Sequence, residues 1–136
     1  MGPFVAILIA LPLQALGYAT TCTQGDSEAA LVGSILSMPL LLLALVLLLL
    51  KRRSGSTARP MGILLCTLTL LTMLALTRDI WINTLTFGTP CGDGYQFYAL
   101  GGGAWWLIVS AYLLVPTVGL VLCVGLGVRS LSRAAR

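Results

Sequence analysis

From Ala29 to Leu50 the chain carries no charged side chain, and Leu40 to Leu50 is leucine throughout except for Ala44 and Val46. A run of this kind spans the hydrocarbon layer of a bilayer as a helix, which needs about 20 apolar residues at about 1.5 Å rise each. It ends abruptly at Lys51-Arg52-Arg53, the signature of a stop at a cytoplasmic interface. Three more apolar runs flank it. One extends from Pro3 to about Thr20, one starts at Met61 and is apolar through Leu76, and one begins at the interfacial pair Trp105-Trp106 and continues to Val128. With 58% apolar and 9% charged residues among 136, and a mean hydropathy of +1.00, an ordinary water-soluble domain is excluded.

These runs predict an all-α integral membrane protein, a bundle of four transmembrane helices forming one domain over residues 1–136. The expected helices cover 3–20, 29–50, 61–82 and 104–128, joined by outer loops 21–28 and 83–103 and by a cytoplasmic loop 51–60. That inner loop, Ser54-Gly55-Ser56-Thr57-Ala58-Arg59-Pro60, is rich in turn formers, and Pro60 suits the first turn of the next helix. The first run contains Pro12 and Gln14. Gly17-Tyr18-Ala19 imitates a signal-peptide cleavage site, but no Lys or Arg precedes the apolar segment, so it is expected to be retained. The third run meets Arg78-Asp79 and then Ile80-Trp81-Ile82, with continuation to about Phe87 as the alternative ending. The fourth contains Pro116, expected to kink it.

Orientation follows from charge. Of the eight basic residues, all but Arg78 lie in the second gap (Lys51, Arg52, Arg53, Arg59) or the C-terminal tail (Arg129, Arg133, Arg136). Positive residues collect on the cytoplasmic side, so both termini are expected inside. The basic residues form no stripe interleaved with aromatics, which argues against a nucleic-acid partner despite the net charge of +4.

The same inventory removes much chemistry. The chain has no histidine, which excludes bis-histidine haem, the usual zinc and copper ligand sets, and histidine acid or base catalysis. Asp26, Glu28, Asp79 and Asp93 all fall at or beyond the outer boundary, leaving no carboxylate in mid-membrane for proton relay. No catalytic residue, metal site or cofactor is expected.

The four cysteines divide by topology. Cys22 and Cys91 belong to the outer loops, where an oxidising compartment favours a disulfide. Closing the loop between them is worth up to about 4 kcal/mol by chain entropy; two free thiols are the alternative. Cys66 and Cys123 belong near the cytoplasmic face at similar depth, about 8 Å inside the boundary by helical rise. There each reads most simply as a small apolar side chain. No Cys-x-x-Cys motif occurs.

Arg78 and Asp79 adjoin the apolar core as an interface anchor or an interhelical latch, with Trp81, Trp105 and Trp106 as aromatic anchors. Tyr95, Phe97 and Tyr98 belong to the outer loop. Small residues recur every four positions at Gly33 and Ser37 and at Gly119, Cys123 and Gly127, a spacing that lets helices approach closely. Thr69, Thr72 and Thr77 give the third helix hydroxyls that can bond within their own helix.

Packing signals thus outweigh chemical ones. The expectation is a non-catalytic accessory or assembly subunit in contact with lipid and with other membrane subunits or copies of itself. A small oligomeric channel or transporter is the first alternative and a thiol-dependent redox protein the second. The short loops and tails resemble those of many bacterial inner-membrane proteins, which implies a plasma-membrane location.

Overall fold

Proline, glycine and threonine punctuate an otherwise continuous helical chain. The computed structural model describes residues 2–24, 27–50, 58–87 and 102–135, and among these every residue except Gly2, Thr77 and Ala135 is helical. In chain order the elements are α1 (Pro3–Gln24), α2 (Ser27–Leu50), α3 (Ala58–Leu76), α4 (Arg78–Phe87), α5 (Gly102–Val109), a π-helical segment (Ser110–Leu114) and α6 (Val115–Ala134). Three helical spans are long and apolar enough to cross a membrane, namely Ala29–Leu50, Arg59–Leu76 and Trp106–Arg133, and Pro3–Ala19 forms a shorter apolar helix. The architecture is that of a membrane protein.

Helix α3 begins at Ala58, inside the expected inner loop, and the last helical stretch begins at Gly102 and ends at Ala134 where 104–128 was expected; three further differences from the sequence reading stand out. The segment expected as an outer loop over 21–28 is largely helical, because α1 runs on to Gln24 and α2 begins at Ser27. The span expected over 61–82 is divided at Thr77. Its hydroxyl donates to the Met73 carbonyl at 2.9 Å and lies 3.3 Å from that of Leu74, closing the last turn of α3. A new helix then starts at Arg78, with Asp79 in its first turn, where the positive end of the helix dipole favours a carboxylate.

The third difference concerns the last helix. Pro116 does not act alone, since the five residues before Val115 are wound as a π-helix in which the Val115 N–H reaches the Ser110 carbonyl. A proline ring clashes with the carbonyl four residues earlier, and widening the turn relieves the crowding. Pro12 and Pro39 lie inside α1 and α2.

Helix α1 packs along α2 over most of its length, α3 packs against α6 and α1, and α2 also touches α5, the π segment and α6. Two interior clusters result. The larger joins Ala6, Ile7 and Ala10 of α1 to Leu41, Ala44 and Leu48 of α2, to Ile63, Cys66, Leu70 and Met73 of α3, and to Cys123 of α6. It occupies the end of the bundle where α2 runs into Lys51 and where α6 terminates. The smaller contains Ala30, Ile80, Ile108, Ala111, Tyr112 and Leu113 and lies toward the α1–α2 hairpin.

Candidate functional site

The polar side chains of the interior gather around the π segment. In a π-helix the N–H of residue i reaches the carbonyl of residue i−5, so residue 116 would serve Ala111. Pro116 has no N–H to offer. The missing donor comes from another helix, since the Gln14 side-chain amide donates to the Ala111 carbonyl at 2.5 Å. The tie is reciprocal: the Tyr112 hydroxyl donates to the Gln14 backbone carbonyl at 3.2 Å. Both side chains are fully buried. A freed carbonyl in an apolar interior is costly unless a neighbouring helix supplies a partner, and α1 supplies it here.

Tyr112 reaches α1 through a gap left by two glycines. A Cβ on Gly17 would stand 2.6 Å from the Tyr112 hydroxyl, 3.0 Å from the Ala29 carbonyl oxygen and 3.2 Å from the Gly33 Cα. One on Gly33 would meet the Leu13 carbonyl oxygen and the same hydroxyl, both at 3.0 Å. The backbones of α1 and α2 therefore touch at Gly17 and Gly33, with the phenol closing the third side. Ser34 and Ser37 are buried on α2; Ser34 donates to Ala30 at 2.6 Å. Among the described residues, Gln14 Oε1 and Ser37 Oγ are buried without a hydrogen-bond partner.

At the opposite end α3 and α6 meet along a seam of different character. A Cβ on Gly119 would lie 3.2 Å from a Leu70 methyl and 3.3 Å from one of Leu45, whereas one on Gly127 would find Ile63 at an ordinary 3.7 Å. Cys123, between the two glycines, lies in the same buried cluster as Cys66 and opposite it across the seam. Both are free and fully buried. Thr67 touches Cys123, and its single hydroxyl proton goes to the Ile63 carbonyl at 2.8 Å.

Small residues expected to support packing thus lie at two contacts, Gly33 and Ser37 in the α1–α2 interior and Gly119, Cys123 and Gly127 facing α3. Arg78 and Asp79 pair with one another at 3.3 Å, with side chains 74% and 56% exposed. Trp106 is exposed. Trp81 lies in α4 and Trp105 in α5, but their side chains are outside the described residues. So is all of Cys91, as are Tyr95, Phe97, Tyr98 and the side chain of Cys22, whose backbone belongs to the last turns of α1. The expected disulfide falls there. Among the described residues no group of three or more His, Cys, Asp or Glu could hold a metal.

Sequence reasoning did not single out Tyr112 or Gly17 as packing residues, and it noted Gln14 without a partner. A lone amide in an apolar helix and a proline in another are a signal for such a tie, because each leaves a hydrogen-bonding group in need of the other. Comparison with protein-family models, with curated proteins and with solved structures found no match for this chain.

Proposed function

We propose that this chain is a non-catalytic, four-span accessory or assembly subunit, both termini cytoplasmic, that offers one side of α6 to a partner helix. The observation that carries the reading is the difference between two sides of that helix. Gly119, Cys123 and Gly127 are used against α3. Gly125 is not: nothing lies within 4 Å of the position its Cβ would take. It shares a face with exposed Val121 and Val128, and with Val121, Leu49, Leu122, Leu126 and Arg129 it lines a groove of about 230 Å³ between α6 and α2. A glycine notch in an apolar face admits the backbone of another helix.

The polar interior supports the same reading. Gln14 and Tyr112 hold helices together, while Thr67, Thr69 and Thr72 each donate to the carbonyl four residues earlier in α3, at 2.8 to 2.9 Å. Those hydroxyls serve their own helix, which favours an accessory protein over a channel.

Extraction in a mild detergent, followed by mass analysis of co-purifying chains, tests the proposal. The wild type should retain a partner or a second copy, and Gly125→Leu should lose it while keeping its own melting temperature. A wild type that is a clean monomer in every lipid-like detergent overturns it. The orientation is tested separately by Ser54→Cys and Ser132→Cys, which should resist membrane-impermeant thiol reagents in intact cells; strong labelling at either site reverses it. The proposed Cys22 to Cys91 bond predicts two alkylated cysteines in the denatured, unreduced chain and two more after reduction.

A further inference from the structure

Cysteine in an apolar helix usually serves as a small hydrophobe. Here two buried cysteines from different helices face each other across one seam. Three facing pairs fix the antiparallel register of α3 and α6: Leu70 with Gly119, Cys66 with Cys123, and Ile63 with Gly127. The flanking α6 positions are glycines with Leu70 and Ile63 side chains of α3 over them, so Cys66 and Cys123 stand opposite each other between two matched contacts, a placement that suits bridging once the sulfurs meet. Both thiols are fully buried, but they differ in how near they lie to a surface groove. A groove of about 310 Å³ along the outside of α3 and α6, bordered by Pro60, Ile63, Thr67, Val124 and Leu131, has Cys123 in its wall and not Cys66.

We propose that Cys66 and Cys123 form a reversible oxidation site at which a peroxide-class oxidant closes a disulfide that staples α3 to α6. The Cys123 sulfur attacks one peroxide oxygen, forming an S–O bond as the O–O bond breaks, and the products are a sulfenic acid and water. The Cys66 sulfur then attacks the Cys123 sulfur. The S–S bond forms, the S–O bond breaks, and the departing hydroxyl leaves as water with the Cys66 proton. Two thiols lose two electrons in total, and one hydrogen peroxide is reduced to two waters. Reactant and product side chains are both uncharged, so the change suits an apolar interior, where a thiolate or a sulfinate would be costly. A small thiol or a phosphine restores the reduced pair.

The test uses the full-length protein in detergent micelles, with hydrogen peroxide as the probe and peptide mapping under non-reducing conditions as the readout. Peroxide should make Cys66 and Cys123 disappear together from the alkylated pool of the denatured chain. A peptide linked through these two positions should appear, and reduction should return both thiols. In Cys66→Ser the second step lacks its nucleophile, so Cys123 should be trapped as a sulfenic acid by a 1,3-dione reagent. In Cys123→Ser, Cys66 should remain alkylatable after the same exposure. Oxidation of the wild type without the linked peptide, or persistence of both thiols under peroxide that oxidises a small-molecule thiol control, overturns the proposal. Equal trapping of Cys66 in Cys123→Ser overturns the assigned order.

Discussion

The two ends of the bundle solve the same packing problem by opposite means. Toward the α1–α2 hairpin, close approach rests on backbone: Gly17 touches Gly33, and Gln14 and Tyr112 exchange hydrogen bonds with main-chain carbonyls. At the basic end, α3 and α6 meet through side chains, with leucine methyls over Gly119 and a pair of thiols opposite each other. Backbone contacts cannot yield, whereas methyl groups can rotate or slide. The first region should therefore be intolerant of added volume and the second forgiving, although both are built on glycine at helical spacing.

A series of single methyl additions tests that contrast most directly. Gly17→Ala forces a Cβ to within 3.0 Å of a carbonyl and closer still to a buried phenol, and it should cost about 1–3 kcal/mol of overpacking. Gly119→Ala, opposed by leucine methyls, should lose less. Gly127→Ala should be neutral or gain up to about 1 kcal/mol from better helix propensity. Unfolding in mixed micelles of increasing denaturing-detergent fraction would rank the three, and equal losses would erase the distinction between the two ends.

The next test concerns the carbonyl that Pro116 leaves without a donor. Gln14→Leu should cost roughly 1–3 kcal/mol, because the buried Ala111 oxygen loses its partner. With Pro116→Ala in the background a backbone N–H becomes available and the same substitution should cost less. A double-mutant cycle measures the difference, and strict additivity would show that the amide does not replace the proline's missing donor.

Tyr112→Phe removes one interhelical hydrogen bond and leaves the ring in place. The loss should be near the average for such bonds in lipid, about 0.6 kcal/mol, read from the same titration. A loss as large as that of Gly17→Ala would make the phenol hydroxyl, and not the glycine crossing, the main lock of this end.

The smallest effect is expected outside both regions. Arg78 and Asp79 are mostly exposed and paired with each other, so Arg78→Ala should change stability by no more than about 0.5 kcal/mol. A larger fall in the melting temperature would restore the interhelical latch considered from sequence.

How much of this was legible in advance depends on whether the cause is local. The leucine run of α2, the arrest at Lys51 and the spacing of Gly119, Cys123 and Gly127 need only neighbouring residues to be read. That Cys66 faces Cys123 required the register of two helices far apart in sequence, and equal depth alone did not supply it. Gln14 and Tyr112 were harder still, because Pro116 shows that some carbonyl loses its donor, but only the change of winding makes that carbonyl Ala111. Thr77 shows the reverse: the charged pair after it was visible, while the helix break at Thr77 was not, and its hydroxyl bond to Met73 is one that Thr67, Thr69 and Thr72 make within an unbroken helix.

The π segment has one more consequence, concerning phase. Ala111, Tyr112 and Leu113 are all buried, three consecutive positions that a regular helix, turning about 100° per residue, would scatter around its circumference. The wide turn absorbs one extra residue and so resets the angular bearing of everything that follows. Rewinding these same residues to the ordinary pitch, with none removed, would swing the remainder of the rod by about 100°. Gly119, Cys123 and Gly127 would then turn away from α3 together, and Gly125 would leave its outward face. The bearing of α6 is set by one wide turn.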